Sequence, residues 1–235
     1  MALDTATDQL SVALGTPSGE VREATVVGAR RHAAELAPVV ERLLEQAGAR
    51  IGDVREFIVS DGPGSFTGLR VAAAFVKALA RVGKVPVYTA STLLVRAAGA
   101  FEHDPITVGA IGTALRGEVY RAVYRLTPDG ASELSAPTTA PIEADWGGVE
   151  PEIVIGDLSG QALLQAPWWG RIRYLAPPLG LPRASRLLWL RQVGAARLVG
   201  DVSGWEPSYG RPAEAQARWE ATHGRSLSGS LRHGR

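Results

Sequence analysis

The sequence predicts an α/β protein built from two lobes of similar order. Three observations carry that prediction: apolar spacing alternates between a period of two and one of three to four, a run of three strands followed by alternating helices and strands occurs twice, and the polar stretch "FEHDP" (Phe101–Pro105) separates the two runs.

In the first run, "ALDTA", "LSVALG" (Leu10–Gly15) and "ATVVG" (Ala24–Gly28) read as an antiparallel meander, with "TPSGE" as one of its turns. Leu36, Val39, Val40, Leu43, Leu44 and Ala47 then fall on one face of a helix that stops at Gly48. Pro38 lies inside that pattern and removes a backbone donor, which predicts a kink or an irregular first turn. "VREFIVSDG" from Val54 is a short buried strand, a Gly-rich turn and a long apolar helix follow, and "VPVYTAS" from Val85 is another strand. The Ser91 hydroxyl caps a further helix through Leu93, Leu94 and Ala97.

The second run opens with strands at Ile106, Glu118 and Ser132, then "PEIVIGD" and "RIRYLA", each with helical sequence after it. The division this predicts is an N-terminal lobe over 1–103, a C-terminal lobe over 104–200, and a basic tail over 201–235 with one short helix starting near Pro212 and ending before Gly224.

Composition narrows the chemistry. Apolar residues make up 46% of the 235 and charged ones 21%, the balance of an ordinary globular chain. There is no Cys, so disulfides, thiolate zinc sites and cysteine nucleophiles are excluded. The start lacks a basic segment followed by an apolar one, and no apolar run approaches the roughly 20 residues that cross a bilayer. The expectation is a soluble cytoplasmic protein with no membrane partner. Residues 171–235 hold 11 Lys and Arg against 4 Asp and Glu, which suits either a solvated tail or contact with nucleic acid.

The block "DGPGSFTGLR" sets three glycines and two hydroxyls between a strand and a helix, where exposed backbone N–H groups can hold an anion. It lacks the Lys of a Walker loop, and a tight strand-to-helix turn accounts for it equally well. Ser65 sits in G-S-F-T-G rather than a nucleophile elbow, and His32, His103, His223 and His233 form no ligand pair, which sets aside serine hydrolases and metalloproteases. Asp4 ends the first strand, but the equivalent turn of the second run has no carboxylate before Glu118, so the paired acids of a phosphoryl-transfer cleft are missing.

The helix after this loop has an unusually wide apolar arc. Arg70, Ala74, Lys77 and Arg81 confine its charge to one stripe, and Gly68, Ala72, Val76 and Ala80 form a row small enough for close approach of another helix. A helix on a sheet needs an apolar arc of only about 100°. Either this chain's own helices cover the excess or a partner does. Near the basic end, Trp205, Tyr209, Arg211, Arg218 and Trp219 could stack on bases or pin the tail to the body; pinning is the preferred reading.

Taken together, "LDTATDQLSVAL", "RRHAAELAPVVERLL", "DGPGSFTGLRVAAAFVKALA", "ASTLLVRAA" and "RGEVYRAVY" resemble the TsaB (YeaZ) family, strongly over residues 2–126 and more loosely beyond, on "IVIGD" and "EPSYGR". The resemblance implies an actin-like ATPase (ASKHA) fold of two ribonuclease-H-like lobes, each with a mixed five-stranded sheet and flanking helices. It implies a non-catalytic dimerisation subunit of the bacterial machinery that makes threonylcarbamoyladenosine at position 37 of tRNAs reading codons that begin with A. Its implied partners are TsaD, the catalytic subunit, which holds the metal, and TsaE, a small ATPase; tRNA is met through the complex, and a homodimer in the absence of TsaD stays open. No cofactor is expected on this chain alone, the ATP and metal belonging to the complex.

Two departures stand out. The family reads "DAR" before "GEVY", where this chain has Thr113, Ala114 and Leu115 before Arg116, and its first strand has fewer apolar residues ahead of "ALDTA", as a misplaced start would produce. A glycoprotease label has been attached to the superfamily, but no residue pattern here supports peptide hydrolysis.

The partner surface expected from the family's two-helix docking mode comprises Val39, Leu43, Gly68, Leu69, Ala72, Ala73 and Val76. A vestigial phosphate or nucleotide site would comprise Asp4, Gly64, Ser65, Thr67 and Gly68. The rival reading is an ATP-using, kinase-like enzyme with Asp4 and the Ser65–Gly68 loop at phosphate.

Overall fold

The computed structural model describes residues 1–16, 18–28, 31–114 and 117–209. The first meander is β1 (Ala2–Asp4), β2 (Gln9–Gly15) and β3 (Val21–Val27), followed by α1 (His32–Gln46), β4 (Phe57–Ser60), α2 (Phe66–Gly83), β5 (Val87–Ala90) and α3 (Thr92–Ala98). The second is β6 (Ile106–Thr113), β7 (Glu118–Thr127) and β8 (Gly130–Pro141), followed by β9 (Ile153–Gly156), α4 (Gln161–Leu164), β10 (Arg173–Leu175), α5 (Ala184–Gln192) and β11 (Arg197–Leu198). The helix of α1 continues through Pro38, which lies on its exposed side.

The strands form two sheets, ordered β11-β5-β4-β1-β2-β3 and β10-β9-β6-β7-β8. In each, the meander is antiparallel and the later strands add in parallel, β4 beside β1 and β9 beside β6, so the two lobes repeat one topology. The parallel strands β4 and β9 are buried along their whole length, as strands covered on both faces must be. The first sheet carries a sixth strand. β11 pairs antiparallel with β5, covering what would otherwise be an open edge with chain returning from the second lobe.

That return changes the division of the chain. α5 and β11 fall within 104–200, yet α5 packs on β1 and β2 and β11 joins the first sheet. In exchange, α3 follows the first sheet and packs on β6 and β7. The two helices meet, with Phe101 stacked on Trp189 at 5.0 Å between ring centroids. Ala2, Ala13, Ile58, Val95, Ala98, Ala184, Leu187 and Leu190 form one buried cluster there, so the lobes share a core.

Glu23 on β3 anchors α5. Its carboxylate accepts from Ser11 Oγ (2.8 Å), Ser185 N (3.0 Å) and Ser185 Oγ (2.9 Å), and pairs with Arg183 at 2.6 Å. An acid at this position satisfies donors of the first helical turn that would otherwise be orphaned.

Candidate functional site

α1 and α2 lie side by side against the first sheet. The inner faces of both are sealed: Val39, Leu43, Gly68, Leu69, Ala72, Ala73 and Val76, the residues expected at a partner surface, are all buried within this chain's own core. This corrects the sequence expectation. The small-residue row of α2 does allow close approach, but the structure it approaches is this chain's own first hairpin and sheet. Burying Leu69 and Val76 there contributes about 1.5–3 kcal/mol each.

The surplus apolar arc lies on the other side of the pair. Phe75 and Leu79, both half-buried, and the exposed Ala37 and Ile51 line an open groove of about 320 Å³ whose floor is the buried Val40 and Leu44, bordered by Glu41, Glu45 and Arg50. Ile51 is 42% exposed and Val82, on the last turn of α2, is 84% exposed. The apolar floor and mixed-charge border match the anatomy of a protein-binding groove.

The charged stripe of α2 has a different use. The chain after β11 runs back along it: Lys77 Nζ donates to Ser203 O (3.3 Å) and to Glu206 Oε1 (3.1 Å), and Arg70 Nε donates to the Tyr209 hydroxyl (3.3 Å). Tyr209 also rests on Phe66 at 4.7 Å, and Trp205 packs against the first core. Trp205 and Tyr209 therefore pin this segment to the body, while Arg211, Arg218, Trp219 and the short helix expected at Pro212 lie outside the described residues.

The Gly-rich loop is pressed onto the first hairpin. A Cβ on Gly64 would sit 2.4 Å from the Ala6 carbonyl oxygen, and one on Gly68 2.0 Å from that of Thr5. Ser65 N donates to Ala6 O (2.7 Å), Thr5 Oγ1 donates to Gly68 O (2.8 Å), and Ser65 Oγ caps α2 by accepting from Gly68 N (3.2 Å). These glycines serve contact with Thr5 and Ala6, which is the tight-turn reading of the loop. Ser65 and Thr67 are exposed, whereas Asp4 is fully buried.

Asp4 Oδ1 accepts from Ala6 N (3.1 Å) and Oδ2 makes no hydrogen bond. Burial pushes its carboxyl above the usual range, and the nearby Ser60, Arg96 and His32 oppose that shift without reversing it. Arg96, also buried, pairs with Asp157 at 2.8 Å. Burial alone would raise Asp157, but the Arg96 charge and the bonds from Arg96 and Thr113 outweigh it and hold the carboxyl below its ordinary value. Thr113 donates to Asp157 through both its N–H (2.8 Å) and its hydroxyl (3.1 Å), so this departure from the "DAR" pattern is built into the second lobe; Leu115 and Arg116 lie outside the described residues. Among the described residues no group of three or more His, Asp or Glu could hold a metal ion, and no helix is long and apolar enough to cross a membrane.

Sequence reasoning missed the groove residues Phe75, Leu79 and Ile51. The signal was present: a wide apolar arc has two sides, and the bulkier side is the outer one.

Comparison with known proteins fits this geometry. The family model described as TsaD: tRNA N6-adenosine threonylcarbamoyltransferase matches residues 26–144. The tRNA threonylcarbamoyladenosine biosynthesis protein TsaB of Bacillus subtilis is 29% identical over 226 residues, spanning 93% of this chain and 96% of that protein. The protein of the same name from Escherichia coli is 33% identical over 156 residues, 66% of this chain and 61% of that one. Among solved structures, YeaZ from Pseudomonas aeruginosa superposes with a TM-score of 0.76 at 30% identity, covering 88% of this chain and 97% of that one. With its two-lobed actin-like fold and this likeness along nearly its whole length, the chain belongs to the TsaB/YeaZ family.

Proposed function

We propose that this protein is a non-catalytic scaffold subunit in the formation of N6-threonylcarbamoyladenosine at position 37 of tRNA, and that it binds and stabilises the catalytic subunit TsaD. The observation that carries the reading is the apolar groove between α1 and α2, where the half-buried Phe75 and Leu79 and the exposed Ala37 and Ile51 stand over the buried Val40 and Leu44. A partner helix with apolar residues at spacings of three and four fills such a groove, and burying its anchors is the main source of affinity. The docking residues in this reading are those on the outer side of the pair, in place of the seven sealed inside. TsaE and tRNA join through the assembled complex.

The kinase-like alternative needs an ionised Asp4 and a loop open to phosphate. Burial raises the Asp4 carboxyl, and Gly64 and Gly68 stand against the carbonyls of Ala6 and Thr5, which favours the scaffold. Size-exclusion chromatography of this chain mixed with TsaD tests the proposal: co-elution is expected, and separate elution counts against it. Calorimetry of the isolated chain with ATP and Mg²⁺ tests the alternative, which requires tight binding abolished by Asp4→Ala.

A further inference from the structure

A second cavity, of about 350 Å³, shares no lining residue with the α1–α2 groove and is not used by the scaffold reading. It forms where four segments meet: Asp61 after β4, Thr89 and Ser91 at the end of β5, Tyr124 and Glu133 paired across β7 and β8, and Arg197 at the start of β11. Both lobes therefore contribute walls.

Two side chains lining it are buried polar groups without a well-formed hydrogen bond, although Ser91 stands near the Tyr124 hydroxyl and Asp61 near that of Thr89. Tyr124 is 2% exposed and Thr89 1%. A buried hydroxyl left unpaired costs about 1–3 kcal/mol, so a ligand group that meets either one is favoured by that amount. Charge of both signs stands around them. Asp61 Oδ2 and Arg197 Nη2 are 3.5 Å apart, a long contact, and the Arg197 side chain is 79% exposed, free to turn toward an incoming anion. Glu133 supplies a second carboxylate. Burial pushes the Tyr124 phenol upward against the opposing influence of the Ser91 hydroxyl, and the charges of Glu133 and Asp61 add to the rise, which puts both acids within electrostatic reach of that hydroxyl. Leu94 and Pro137 provide apolar wall.

We propose that this cavity binds a small zwitterion of the α-amino-acid class, its ammonium group held by Asp61 and Glu133, its carboxylate by Arg197, and a side-chain hydroxyl by Tyr124 and Thr89. The volume lies at the small end of ligand sites, about 300–1,000 Å³, and suits a molecule of that size. The long Asp61–Arg197 contact is where the zwitterion inserts, exchanging one weak pair for two charge-assisted ones.

The test is calorimetry of the full chain with L-threonine as probe, and with methylamine and acetate as its two half-ligands. Saturable binding of L-threonine is expected, with each half-ligand much weaker. Tyr124→Phe is expected to weaken binding about tenfold while leaving the melting temperature of the free protein equal to wild type or higher, because the buried hydroxyl it removes makes no well-formed hydrogen bond there. Arg197→Met is expected to bring L-threonine down to the affinity of methylamine. No saturation below about 10 mM overturns the proposal, as does methylamine or acetate binding as tightly as L-threonine, or Tyr124→Phe binding like wild type.

Discussion

Replacing Gly68 with alanine separates the two readings of the Gly-rich loop. The new methyl carbon would lie 2.0 Å from the Thr5 carbonyl oxygen, where contacts below 3.0 Å essentially do not occur, so the start of α2 must move by about 1 Å from the first hairpin. Overpacking of this kind costs about 1–3 kcal/mol. The shift also strains the Thr5 Oγ1–Gly68 O bond, about 1 kcal/mol, and the Ser65 cap, about 1 kcal/mol more. Better helix propensity returns about 1 kcal/mol. A net loss of about 2–4 kcal/mol corresponds, at about 2–4 °C per kcal/mol for a chain of this size, to a melting temperature lowered by about 4–16 °C. Gly83→Ala in the same helix is the control. Its Cβ would meet only Val85 at an ordinary 3.7 Å, so that change should be neutral or stabilising by up to about 1 kcal/mol. Differential scanning calorimetry of both variants decides: a Gly68→Ala protein as stable as wild type would refute the close-contact account of the loop.

Three further outcomes follow from the geometry. Glu23→Ala leaves the Ser11 and Ser185 donors and Arg183 without their acceptor, so chemical denaturation should show a loss of about 2–4 kcal/mol, and Glu23→Gln a smaller one. Because the folded Asp4 carboxyl titrates above its unfolded value of about 3.9, the folded state holds the extra proton, and stability should fall as pH rises from that value toward the folded one; Asp4→Asn should flatten this slope, and an unchanged slope would assign it elsewhere. Lys77→Ala should change global stability by less than about 1 kcal/mol, since its pair with Glu206 is at the surface, yet hydrogen exchange over residues 202–209 should quicken.

Most of the fold was legible because its elements carry clear local patterns: short apolar and β-branched runs bounded by turn residues mark strands such as β2, and the three-to-four spacing of α1 marks a helix. β11 was not, since two exposed residues carry no period; its pairing exists because β5 offers an edge. The sequence also could not tell where α5 docks. A buried stripe of Ala184, Leu187 and Leu190 states that a helix is covered on one side and leaves open which sheet covers it.

The same limit explains the site. On α2 the apolar arc is wide enough to serve both the core and an outer groove, and small residues at Gly68 and Ala72 fit either use; only the depth of the hairpin contact at Thr5 assigns them inward. Once they are inward, helical spacing puts Phe75 and Leu79 on the flank toward α1. The basic stripe was visible as a stripe, but its acceptors, Ser203 O, Glu206 and Tyr209, come from more than 120 residues later in the chain, a pairing no local pattern encodes.

The groove between α1 and α2 is the claim on which the functional account stands, and the most direct measurement is the affinity of TsaD for the double variant Ala37→Glu, Ile51→Glu. Both residues line the groove and are exposed, so the variant should fold as wild type does. Calorimetric titration should show affinity reduced by about 30-fold or more, the effect of losing more than 2 kcal/mol at a binding hot spot. Wild-type affinity in a folded double variant would contradict the account.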